Sequence, residues 1–120
     1  MADHYKKRVG DLHEEKAAKY LETKGYAILE KNYRCRMGEA DIIAKKDGVY
    51  VFVEVKYRKY ASSGYPLEAV NLRKQKKISR CVDHYRMIHS MGDGIPFRFD
   101  VVGILGDEIT HIENAFEYVF

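Results

Sequence analysis

No stretch of this sequence approaches the roughly 18 consecutive apolar residues that would span a bilayer, and no apolar segment follows the basic residues of positions 1–8. Both absences exclude a membrane helix or signal segment of the usual form, and the expectation is a soluble, cytoplasmic protein with no membrane partner. Cysteine is nearly missing: Cys35 and Cys81 show neither CxxC spacing nor a disulfide-dense pattern, so they are read as two reduced thiols. A zinc-binding pattern is absent too. His13-Glu14 begins like HExxH, but Ala17 stands where the second histidine belongs, and the other histidines are scattered. Lys and Arg vanish after Arg98, while Asp100, Asp107, Glu108, Glu113 and Glu117 remain.

What precedes Arg98 is strongly basic, although the net charge is only +3. Tyr57-Arg58-Lys59-Tyr60 and Arg73-Lys74-Gln75-Lys76-Lys77 are the densest clusters, and Arg34 and Arg36 interleave with Asn32, Tyr33 and Cys35. Such clusters form either an ordinary solvated face or a surface that neutralises phosphates, with tyrosines placed to stack on exposed bases. At 120 residues the chain has room for one domain with one real core.

Periodicity organises that domain. Leu12, Ala17, Tyr20 and Leu21 recur at helical spacing, predicting a first helix over 9–24 that ends at Gly25. In it Glu14 falls on or beside the packing face, whereas Glu15, Lys19 and Glu22 are easily left in solvent. Residues 26–33, 39–45 and 49–58 read as three strands, and the Asp47-Gly48 step between the last two signals a tight hairpin turn. After a loop at 61–66, a second helix is expected over 67–89, opened by Pro66, with Val70, Ile78, Cys81, Val82, Tyr85 and Ile88 as its apolar stripe. Lys74 lies on that stripe, so it either leans toward the sheet or snorkels to water. Strands over 97–105 and 109–113 follow, with Arg98 and Asp100 alternating among apolar residues as an ion-pair brace or a groove wall. The apolar tail 114–120 packs on the core or on a second subunit.

Charged residues interrupt two otherwise apolar strands. With Asp47 and Gly48 as the loop, Lys46 pairs with Val49, and counting outward sets Asp41 opposite Glu54. Directly opposed residues have Cβ atoms roughly 4.5–5.5 Å apart. Two carboxylates that close need a shared proton, a basic partner or a divalent cation. Alternation puts Lys56 on the same face as Glu54. The trio is therefore either a plain buried ion pair or a metal-binding site, to which Glu14 would add a further ligand.

An acid, a turn and then Glu54-x-Lys56 on the next strand resembles the PD-(D/E)xK nuclease superfamily, although Ala40 stands where the proline of that name would be. The wider set is more specific: Glu14-x-x-Ala17-x-x-Tyr20-Leu21, Gly25-Tyr26, Asn32-Tyr33-Arg34, Gly38-Glu39-x-Asp41, Phe52-Val53-Glu54-Val55-Lys56-x-Arg58, Glu68-Ala69-Val70 with Lys74, and Arg98-Phe99-Asp100-Val101-Val102. It resembles the YraN-like family, uncharacterised proteins similar to Holliday-junction resolvases, and it covers nearly the whole chain. His13 departs from the small glycine usual there. The resemblance implies an α/β fold of α+β type with a restriction-endonuclease-like core: helix, three-strand antiparallel meander, helix and two further strands in a mixed sheet. It also implies Mg²⁺ or Mn²⁺ held by Asp41, Glu54, the Val55 carbonyl and Glu14, with Lys56 assisting hydrolysis of DNA. Arg34, Arg36, Arg58, Lys59, Lys74, Lys76 and Lys77 would bind the backbone of DNA or another nucleic acid, branched forms included. A resolvase acts on two strands at once, which points to a homodimer. The competing expectations are a nucleic-acid binding or assembly protein that keeps the fold without cutting, and a purely structural ion-pair core.

Overall fold

A computed structural model describes residues 2–60 and 70–120, with side chains described from Leu12 onward in the first segment. The element order is α1 (Ala2–Thr23), β1 (Ala27–Arg34), β2 (Glu39–Lys46), β3 (Val49–Arg58), α2 (Leu72–Ile88), β4 (Phe97–Leu105) and β5 (Glu108–Phe116). The strands form one five-stranded sheet in the order β1-β2-β3-β4-β5. All neighbours are antiparallel except β3 and β4, which run parallel, as a crossover through a helix requires. This is the expected α+β arrangement of helix, meander, helix and two strands.

Alternation along β3 and β4 loads both faces of the sheet with apolar side chains. Against one face Ala17, Ala18 and Leu21 of α1 pack on Ile42, Ala44, Val51, Val53, Val102 and Ile104. Against the other, Ile78, Cys81, Val82 and Tyr85 of α2 pack on Ile43, Phe52 and Phe99. Burying both faces explains why the two central strands read as near-continuous apolar runs.

Several boundaries differ from expectation. α1 starts well before Val9, and Leu12, assigned to its packing stripe, is 68 % exposed, because the buried stripe comes from Ala17, Ala18 and Leu21. α2 begins at Leu72 and not near Leu67: the Asn71 side chain caps it by accepting from the Lys74 N–H at 3.0 Å, so Val70 stands outside the helix. The expected loop at 61–66 and the Pro66 helix start lie outside the described residues. Ile88, the last residue of α2, is exposed. β5 runs on to Phe116, which stacks on Phe99 at 4.8 Å. Beyond it the tail is pinned to α2, since the Val119 N–H donates to Ser79 Oγ and Arg80 donates to the Val119 carbonyl. Phe120 is left exposed.

Arg98 and Asp100 do brace the sheet. Asp100 is fully buried and accepts from Arg98 Nε at 2.9 Å, from the Asn114 N–H at 3.0 Å and from the Tyr26 hydroxyl, with His111 Nε2 2.7 Å away. Asn114 reaches it from a left-handed backbone conformation (φ 52°) where the β4–β5 register shifts. Both cysteines are free thiols, and burial pushes that of Cys81 up to about 12, which makes it an inert core group.

Candidate functional site

The β2–β3 hairpin turns through Asp47 and Gly48, both at positive φ, with Lys46 paired to Val49. That register holds to Ile42↔Val53 and stops. One step further, where Asp41 would face Glu54, the ladder gives way: the Val55 N–H donates at 2.7 Å to the Asp41 carboxylate instead of to backbone. Side-chain direction also changes here. Ile42 and Ala44 pack toward α1, yet Ala40 joins the α2-side cluster, which strict alternation forbids. Across the strand pair, Asn32, opposite Asp41 in the β1–β2 register, is itself left-handed (φ 52°). Asp41 therefore stands in a fork between two strands.

Side chains from both layers enter this fork. Glu54, 2 % exposed, has two ammonium groups on one oxygen, with Lys56 Nζ at 3.3 Å and Lys74 Nζ at 3.4 Å from Oε1. Lys74 thus leans inward from α2, and Glu39 holds its other side at 3.6 Å. Glu14 is half-buried on α1 and near enough for its charge to act on Asp41. Burial, the Glu54 charge and then the Glu14 charge raise the Asp41 carboxyl to about 8, against the opposing pull of the Val55 N–H and Lys74. Burial alone would lower the Lys74 ammonium, but Glu54 and Glu39 raise it on balance.

The remaining basic candidates divide. Lys76 and Lys77 are exposed on α2, and Arg36 is exposed in the β1–β2 turn. Arg34 is exposed and lies 3.8 Å from Glu39. Arg58 donates to the neighbouring Tyr57 carbonyl, and the Lys59 ammonium sits over the Tyr60 ring. Among the described residues, the ion pairs to Glu54 come from Lys56 and Lys74. Reasoning from charge pattern missed Glu39, whose signal was its place two residues before Asp41 in the Gly38-Glu39-x-Asp41 set. His13 stacks on Tyr57 with ring centroids 3.5 Å apart, anchoring α1 to β3 beside Lys56.

Among the described residues, no three His, Cys, Asp or Glu side chains gather closely enough to cage a metal ion. Two carboxylates with a neighbouring main-chain carbonyl suit a different habit, that of Mg²⁺, which keeps several waters and takes one or two carboxylates plus substrate phosphates. The donors are all hard oxygens, so the set fits Mg²⁺ or Mn²⁺ and not a thiophilic ion.

No described helix is long and apolar enough to cross a membrane. Among known proteins, the chain matches the uncharacterised protein family UPF0102 over residues 13–104, a span that contains Glu14, Asp41, Glu54, Lys56 and Lys74. A UPF0102 protein of Lachnoclostridium phytofermentans is 46 % identical over 112 residues, covering 93 % of this chain and 95 % of the relative. One from Clostridioides difficile is 46 % identical over 112 residues, covering 92 % and 97 %, and one from Alkaliphilus metalliredigens is 46 % identical over 113 residues, covering 92 % and 98 %. With a match this long and relatives this similar, the chain belongs to the UPF0102 family, the one its sequence resembles as YraN-like.

Proposed function

We propose that the protein is a divalent-metal-dependent endonuclease that hydrolyses phosphodiester bonds in DNA, branched DNA included. The observation that carries this reading is the Asp41–Glu54 pair in a strand fork, with Lys56 and Lys74 at 3.3 and 3.4 Å from one Glu54 oxygen. Two ammonium groups converge on one oxygen of Glu54, while the second acid, Asp41, is held by a backbone N–H. Paired acids with cations beside them suit a divalent ion together with a substrate that brings its own negative charge.

Asp41 and Glu54, with the Val55 carbonyl and Glu14, would hold the ion. When bound, it supplies Lewis-acid polarisation of a phosphoryl oxygen and a water of lowered pKa. Val55 fixes Asp41 through its N–H, so the carboxylate is oriented before any ligand arrives. Lys56, on the Glu54 face of β3, puts a fixed positive charge where an attacked phosphate gains negative charge, and a charge already in place needs no reorganisation. Lys74 adds a second from α2. Arg36, Arg58, Lys59, Lys76 and Lys77 contact backbone phosphates, which carry no sequence information, so recognition is of strand shape.

One observation favours a second reading, a nucleic-acid binding or assembly protein that does not cut: Glu54 is already satisfied by two lysines. Cleavage separates the two. Labelled single-stranded, duplex, flap and four-way-junction DNA is incubated with Mg²⁺, Mn²⁺ or EDTA, using wild type, Glu54→Ala and Lys56→Ala. Metal-dependent cutting is expected, reduced at least about 100-fold in either variant, with binding in EDTA retained. Salt-sensitive binding without cutting of any substrate would hand the assignment to the binding protein.

A further inference from the structure

The β1–β2 turn holds a second concave site on the α2 side of the sheet. Its cavity, about 210 Å³, is lined by Arg34, Arg36, Gly38 and Glu39 of the turn and by Lys77 of α2. The turn is tight, closed by the Cys35 N–H donating to the Gly38 carbonyl at 2.9 Å. Gly38 lies directly on the helix backbone, where a Cβ would run into the Lys77 carbonyl oxygen and come within 3.1 Å of the Cys81 nitrogen. That close approach brings the arginines of the turn beside Lys77.

Charge in the cavity does not balance. Glu39 is its one carboxylate, and it already serves Arg34 at 3.8 Å and Lys74 at 3.6 Å. Arg36 and Lys77 form no ion pair among the described residues. The volume is below the roughly 300–1,000 Å³ that encloses a drug-sized organic ligand, and suits a small polyatomic anion. An arginine fork with a lysine is the usual donor set for phosphate oxygens. The cavity also adjoins the acidic fork, since Lys74 bridges Glu39 and Glu54.

We propose that this cavity is a phosphate subsite in which Arg36 and Lys77 together hold one backbone phosphate of the nucleic-acid strand that crosses the Asp41–Glu54 fork. The inference rests on the nucleic-acid reading above and adds the place where the strand is anchored.

Binding of a fluorescent single-stranded oligonucleotide is measured in EDTA across a salt series, for wild type, Arg36→Ala, Lys77→Ala and the double variant. Both side chains are exposed and form no ion pair among the described residues, so melting temperatures are expected to match wild type. Each contacted phosphate contributes about 0.7–0.9 to the slope of log affinity against log salt. One shared phosphate predicts that the double variant loses a single such increment. An unchanged slope, or a loss of about two increments as from independent surface contacts, overturns the subsite. Inorganic phosphate at matched ionic strength is expected to displace more strand from wild type than chloride does, and no more than chloride from the double variant; phosphate competition on wild type without loss of salt slope in the double variant would reassign the cavity to the free anion. If wild type cuts DNA while the double variant keeps the wild-type slope, the subsite alone fails. A wild type that binds no nucleic acid overturns both readings.

Discussion

Asp41 and Asp100 are carboxylates of the same sheet whose surroundings drive their protonation in opposite directions. Asp41 loses solvent and gains Glu54 and Glu14 as neighbours, so burial and then repulsion raise it to about 8. Burial acts on Asp100 as well and would raise it, but hydrogen bonds from His111, Arg98 and the Asn114 N–H outweigh that and leave it below the ordinary carboxylate value. The sign of the linkage follows. A carboxylate depressed in the folded state contributes stability above its unfolded pKa, and that contribution is lost as pH falls through the folded pKa. The stability gap between wild type and Asp100→Asn should therefore be constant near neutrality and shrink below about pH 4, which acid titrations of the two proteins followed by circular dichroism would check. A gap that widens in acid would mean that Asp100 is protonated in the folded protein.

At the scale of elements, the β1–β2 hairpin is the piece that both assembles the fork and touches α2. Asn32 sits in a left-handed conformation opposite Asp41, and Gly38 lets the turn lie on the helix backbone. A methyl group at 38 has only backbone to push against. Gly38→Ala should cost about 1–3 kcal/mol, the usual penalty for overpacking, read as a lower midpoint in urea, and it should weaken nucleic-acid binding by moving Arg36 away from Lys77. Full retention of both stability and binding would show that the turn relaxes freely.

Across the described residues, the two apolar layers meet on β2, β3 and β4, which carry buried side chains on both faces, while β1 and β5 are sheet edges. Local opening draws on the least buried elements first. Amide hydrogens of Val51–Val53 and Val101–Ile104 should exchange slowest, and those of β1 and the outer side of β5 at least about tenfold faster, in native-state hydrogen exchange; uniform protection over all five strands would contradict this layering. Charge is also uneven at this scale. The basic clusters fall on the β1–β2 turn, the end of β3 and α2, around the acidic fork, whereas the acidic tail runs through β5 on the far edge.

Sequence alone determined the order of elements, because apolar alternation, helical spacing and the Asp47-Gly48 turn are local signals set by backbone geometry. It pointed to the trio as well: counting from that turn predicts Asp41 opposite Glu54 with Lys56 on the same face, but the observed pairing stops at Ile42↔Val53 and Asp41 accepts from the Val55 N–H instead. The start of α2 escaped it because apolar spacing extends the helix back past the Asn71 cap, and the end of β5 because the Phe116–Phe99 stack joins residues distant in the chain. Leu12 escaped for a related reason, as helical spacing gives the phase of a stripe but not which turns of the helix reach the sheet. Only the tertiary structure decided that Lys74 bridges Glu39 and Glu54, that Asp41 binds a backbone N–H instead of completing the ladder, and that Gly38 brings two arginines to Lys77. Two of these contacts join the sheet or its turn to α2 and one joins neighbouring strands, and no local periodicity encodes how separate elements pack.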